Sequence, residues 1–264
     1  MNVTEKFDKI GARAVVHNGN AAIRQRLTRG MNVGGIRLNV LKDDDGEYFD
    51  VAVNGDTEVS VLDVQPKDRH LLLMAKQGGE KSKFLCGHDE RHWFVAAIPE
   101  AAPVGTVRQA KEALKPAEIQ TRQVGLNKDK RNKRKNSAYI RQGEWFFIPA
   151  NITADDNLIL KNEPITRGNG SKPHMAEFCY RTGGTSVWVH REYPNGVDDK
   201  TYKKLIKDGK SAIGWRVMQR DASVYVKGTI RHDDHKTINL VGWHRVIMNT
   251  EQKARAMRNV AFLD

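Results

Sequence analysis

Apolar and polar residues alternate with a period of two through much of the first hundred positions. Residues 36–41 alternate and stop at Asp43-Asp44-Asp45-Gly46, and 47–53 resume the pattern. Asn54-Gly55-Asp56 follows, carrying the dipeptide that favours a tight type I′ hairpin. Residues 59–64 alternate and end at Pro66, 69–75 form a nearly continuous apolar run before Gly78-Gly79, and 81–86 and 92–98 flank a polar turn. Short strand-like segments at near-regular spacing predict an antiparallel barrel or sandwich. The period then changes. Val107, Ala110, Lys111 and Leu114 fall at helical spacing, and Pro116 ends the run. Upstream, Asn20 as a cap and Gly30 as a stop bracket a short basic helix carrying Arg24, Arg26 and Arg29.

The second half reads as mixed. Residues 138–149 form a hairpin turning near Gln142-Gly143, 186–192 a strand, and 199–207 a short helix ended by Gly209. Strands at 213–219 and 222–231 follow, the latter joined to 237–248 across His232-Asp233-Asp234-His235. Thr250 caps a closing helix over 250–260. The expected architecture is α+β and predominantly antiparallel: two β-rich halves, barrel- or sandwich-like, with a few short helices. Residues 1–115 would form a β-rich domain with a short leading helix, 116–137 a basic connector, and 138–264 an α+β domain ending in a helix. Residues 82–94 and 137–146 echo one another as strand, polar turn and Trp-Phe strand. A duplicated unit and two ordinary hairpins both account for this.

Composition changes the picture through charge. A hydrophobic fraction of 39% excludes wholesale disorder. Lys and Arg total 44 against 32 Asp and Glu, and the net charge of +12 favours polyanionic partners. Residues 108–141 concentrate this bias, with 11 basic residues against 3 acids, a net of +8. Two cysteines far apart predict reduced thiols and a cytoplasmic protein without a disulfide framework. The apolar runs are strand-sized, well short of the roughly 20 residues of a membrane helix, so no membrane partner is expected.

The basic centre supplies the leading functional expectation: an exposed, mobile arm that binds RNA or DNA through phosphates. Lys128, Lys130, Arg131, Lys133, Arg134 and Lys135 would carry it, Arg122 and Arg141 extend it, and Tyr139 and Trp145 would stack on bases. The alternative fate of such aromatics is a strand's core face. Histidines offer a second chemistry. Cys86, His88 and His92 lie across one hairpin tip, His232 and His235 across another, and His244 follows, so Zn²⁺ or Mg²⁺ is conceivable although no common zinc spacing is present. His88, His92, Asp234 and His235 would then serve a metal-dependent hydrolase or nuclease. A third reading is a subunit that docks an acidic protein partner. Gly-rich stretches at 167–172 and 182–186 lack the following helix of a phosphate loop and read as plain loops. The set predicts a nucleic-acid-binding protein with no required cofactor.

Overall fold

The computed structural model describes residues 2–18, 31–33, 35–166 and 172–257. The basic helix expected over 20–30 and the stretch 167–171 lie outside them. Two compact units are present, one built from Met1–Lys133 with Asn249–Arg258, the other from Arg134–Met248. Both are β-rich and almost wholly antiparallel, with short helices.

In the first unit a helix, α1 (Val3–Asp8), leads into β1 (Arg13–Asn18), β2 (Met31–Val33), β3 (Ile36–Asp43) and β4 (Gly46–Val53). These strands form one sheet in the order β1-β4-β3-β2, with β1 parallel to β4. A second sheet follows chain order as an antiparallel meander: β5 (Glu58–Gln65), β6 (His70–Gln77), β7 (Glu80–Asp89) and β8 (His92–Ile98). Asn54-Gly55 therefore closes no hairpin. It carries the chain from one sheet to the other, and the Asn54 N–H donates to the Gly35 carbonyl at 2.8 Å.

The sheets share one core and make a sandwich, not a closed barrel. Phe7, Ile36, Leu38, Phe49 and Val51 meet Leu71, Leu73, Phe84, Cys86 and Ala97. The other face of the second sheet is covered too. Leu72, Leu85, Ala96 and Ile98 pack against Val104, Val107, Ala110 and Leu114, on and beside α2 (Val107–Ala113). Burial on both faces explains why Leu71, Leu72 and Leu73 do not alternate: each is 0% exposed, serving two cores in turn. Thr106 and Gln109 start α2 with a reciprocal capping box.

On β6, the His70 ring lies against Gly87 of β7, where a Cβ would come within 2.3 Å of its Cδ2. Its Nδ1 donates to the Asp68 carbonyl. Burial first, and then the Lys111 charge, lower the His70 pKa from 6.5 to about 4, outweighing Asp68 and Asp89. Because the folded value lies below the unfolded one, the unfolded chain takes the proton first, and stability is lost as pH falls from 6.5 through about 4. The loss is at most about 3 kcal/mol, discounted because the ring is partly solvent-exposed. Thermal melts of a His70→Gln variant should lose that part of the acid-side decline. An unchanged slope would assign it to other groups.

Residues 116–131, expected to belong to a mobile connector, form α3 (Ala117–Arg122) and α4 (Lys128–Arg131). The chain returns to this unit after the second. The Thr250 N–H donates to the Leu114 carbonyl at 3.0 Å, and its Oγ1 to that of Ala113 at 2.6 Å. The Ala97 N–H donates to Glu251 Oε1 at 3.3 Å. In place of one helix over 250–260, the described residues form two 3₁₀ turns, Thr250–Lys253 and Arg255–Met257. Thr250 does not cap them because its hydroxyl is committed to Ala113, and Asn249 caps the first instead.

The second unit contains β9 (Ile140–Gln142), β10 (Trp145–Pro149), β11 (Leu160–Ile165), β12 (His174–Thr182), β13 (Thr185–His190), β14 (Tyr193–Val197), α5 (Asp199–Lys207), β15 (Arg216–Arg220), β16 (Ser223–His232) and β17 (His235–Met248). Six strands form an antiparallel sheet in the order β11-β12-β16-β17-β10-β9, and three form β14-β13-β15. Trp145, Phe147, Ala176, Cys179, Val226, Ile230 and Leu240 build the core of the larger sheet. β10 is buried on both faces, since Phe146 and Ile148 are also covered.

Candidate functional site

The basic segment is a folded platform. Lys115, just beyond α2, is 3% exposed and turns its ammonium inward. It donates to Glu112 Oε1 at 2.8 Å, Gln123 Oε1 at 3.0 Å and the Arg131 carbonyl at 3.0 Å. Gln123, 1% exposed, donates to the same carbonyl at 2.6 Å. Arg131 is half-buried, with Nε donating to the Leu126 carbonyl at 3.0 Å, and the Asn127 side chain caps α4. These bonds fix the backbone while Lys128, Lys130 and Lys133 remain exposed. Arg122 is exposed beside Glu118 at 3.4 Å. In the second unit Lys135 is exposed, Arg134 and Arg141 are half-buried, and the Arg141 N–H donates to the Arg134 carbonyl at 2.7 Å.

The expected stacking residues are not available to bases. Tyr139 is 2% exposed and packs edge-on against Phe146 at 4.9 Å, and Trp145 is 1% exposed within the sheet core. Their apolar surface decides their place, because burying it stabilises the sheet more than leaving it for an absent ligand. Half-buried aromatics occur elsewhere, on the three-stranded sheet. Trp188 stacks on Tyr202 of α5 at 4.0 Å, and Trp215 stacks on Tyr193 at 5.3 Å and on His190 at 5.0 Å. Exposed Lys200, Lys204 and Lys207 stand on the same helix, while Lys203 pairs with Asp199 at 2.6 Å. The aromatic and lysine pattern of residues 188–215 was the sequence signal for this patch.

The histidine candidates separate. In the first unit His92 Nδ1 lies 2.6 Å from Glu47 Oε1, and His88 packs edge-on against Trp93 at 4.9 Å. Burial, and then the Arg69 charge, lower the His88 pKa and favour its neutral form. Cys86 is fully buried in the sandwich core, and burial pushes its thiol far above the usual range, away from the thiolate a metal requires. His244, 5% exposed, directs Nδ1 to the Gly242 carbonyl at 3.1 Å.

His232 and His235 are brought together with a residue the sequence did not single out, His174. Each offers a ring nitrogen, and these atoms lie within 4.8 Å of one another; among the described residues no other His, Cys, Asp or Glu joins them. Strand register explains the grouping. His232 and His235 pair directly across the Asp233-Asp234 turn, and Met175 pairs with Arg231, which sets His174 beside His232. The rings are stacked, with centroids 4.2 Å apart for His174 and His232 and 4.6 Å for His232 and His235. His174 is 1% exposed and the other two are half-buried. Gly143, at the tip of the β9–β10 hairpin with φ +57°, completes the wall. A Cβ there would stand 2.7 Å from His235 Nε2 and 3.4 Å from His174 Nε2. The Asp234 N–H donates to His232 Nδ1 at 3.1 Å, and the Asp234 carboxylate holds Lys172 at 2.6 Å, raising the lysine's pKa. Asp234 thus frames the group without belonging to it. No helix among the described residues is long and apolar enough to cross a membrane. Compared with protein-family models, with curated protein sequences and with solved structures, the chain matches none.

Proposed function

We propose that this protein binds nucleic acid through its phosphate backbone. The observation that carries the reading is the fixed cationic platform of α3 and α4, which the buried Lys115 holds in place while Lys128, Lys130 and Lys133 face solvent. A platform already folded loses less conformational entropy on binding than a mobile arm would. Lysines, as compact charges on flexible stems, suit phosphates and carry no base information by themselves. The lysines of α5 add a second cationic element in the other unit.

The test is binding to labelled single- and double-stranded DNA and RNA across a salt series. Affinity should fall linearly on a log–log scale, with a slope of about 0.7–0.9 per phosphate contact. The triple variant Lys128→Glu, Lys130→Glu, Lys133→Glu should reduce that slope by roughly two to three. Its circular dichroism spectrum should match the parent, since these side chains are exposed. Affinity and slope unchanged in the folded variant would refute the platform. Binding to no nucleic acid at low salt would favour an acidic protein partner instead.

A further inference from the structure

We propose that His174, His232 and His235 form a binding site for a zinc-class divalent ion in the second unit. The inference goes beyond nucleic-acid binding and rests on three features of the group.

The first is the donor set. It consists of imidazole nitrogens alone, and imidazole suits Zn²⁺ and its d-block neighbours, whereas Mg²⁺, Ca²⁺ and Mn²⁺ take oxygen. In a tetrahedral zinc site the nitrogens stand about 3.4 Å apart, as follows from Zn–N distances near 2.05 Å. The three nitrogens here lie within 4.8 Å, so binding draws them closer by turning the stacked rings about χ1 and χ2 until their in-plane lone pairs converge.

The second is the scaffold. The three residues stand at one end of three hydrogen-bonded neighbours, β12, β16 and β17, and two face each other across a two-residue turn. Ligands on adjacent strands are held more precisely than ligands on loops. The glycine at position 143 matters to the same end, because any side chain there would enter the space in front of His174 Nε2 and His235 Nε2.

The third is electrostatic. Asp233 and Asp234 on the turn offset part of the ion's charge, although the Asp234 carboxylate is directed to Lys172. Three protein ligands leave the fourth position of a tetrahedral ion to water, the arrangement zinc adopts where it exchanges ligands.

Coordination has one internal cost. His232 Nδ1 now accepts the Asp234 N–H. Whether Nδ1 or Nε2 holds the ion, that amide loses its acceptor, because a neutral ring that ligates through Nε2 carries its proton on Nδ1.

The test uses the full chain, freed of metal by dialysis against chelator and titrated with Zn²⁺ and then Co²⁺. One ion per chain should bind, Co²⁺ should give the intense visible absorption of a tetrahedral site, and the Asp234 amide resonance should move. His235→Gln should weaken Zn²⁺ binding by more than about 100-fold, the upper limit for loss of an outer hydrogen-bond partner. His88→Gln, in the first unit, should leave it unchanged. His174→Gln should behave like His235→Gln. Since His174 is buried, the half-buried His235 carries the decision if the former variant fails to fold. Absence of stoichiometric binding by the folded parent, or equal binding by His235→Gln, would overturn the site.

Discussion

Replacing Asp50 by alanine should lower the stability of the first unit by about 3–5 kcal/mol, the usual consequence of removing one member of a buried ion pair. Asp50 on β4 is 2% exposed and Arg37 on β3 is 4% exposed, and Arg37 Nη2 donates to Asp50 Oδ2 at 2.7 Å. His17 Nε2 on β1 lies 3.0 Å from the other carboxylate oxygen. The carboxylate therefore joins three strands of one sheet, and the alanine takes this counter-ion from the buried Arg37. Replacing both Asp50 and Arg37 by apolar residues of similar size should cost less than Asp50→Ala alone, because the buried cation is removed together with its carboxylate. Hydrogen exchange of β3 and β4 amides reads the change locally, apart from the second unit. A loss below about 1 kcal/mol would mean that solvent screens the pair.

Lys115→Met should loosen the cationic platform at a cost of about 2–3 kcal/mol. The methionine fills the space but leaves Gln123 Oε1 without its ammonium donor and removes one of the two donors to the Arg131 carbonyl. The discriminating readout is tryptic cleavage within 116–135, which should quicken much more than cleavage elsewhere. Salt-dependent nucleic-acid affinity should fall with it, although no exposed lysine has changed. Unaltered cleavage would show that α3 and α4 hold their places without Lys115.

These two sites also mark the limits of what the sequence discloses. Strands β3 to β8 of the first unit were legible because one face or both meet a core, and side-chain alternation reports that directly, whereas β1 and β2 were not anticipated. The helix Asp199–Lys207 was legible because Asp198 caps it and Gly209 follows it. The platform was not. A run of lysines and arginines has the composition of a solvated tail, and nothing local reveals that Lys115 points inward to an amide and a carbonyl. Asn54-Gly55 misled because its turn preference is local, whereas the pairing of β4 with β1 and β3 is decided by packing. The candidate metal site was half legible. His232 and His235 are neighbours across a turn, but His174 joins them only through the register of β12 on β16, which no spacing encodes. Tyr139 and Trp145 were placed by the competing reading, that strand aromatics fill cores.

The return of residues 249–257 to the first unit has a consequence for how the protein is made. The carboxylate that takes the Ala97 amide and the threonine that satisfies the end of α2 are synthesised only after all of Arg134–Met248 has been made. The first unit thus begins translation first and completes its hydrogen bonding last, while the described residues of the second unit fall within one stretch, Arg134–Met248, that can begin to fold as it emerges. During that interval the edge of β8 and the last turn of α2 stand open to water or to a chaperone. A chain interrupted before residue 249 would release its second unit with all of its strands and its first unit unfinished.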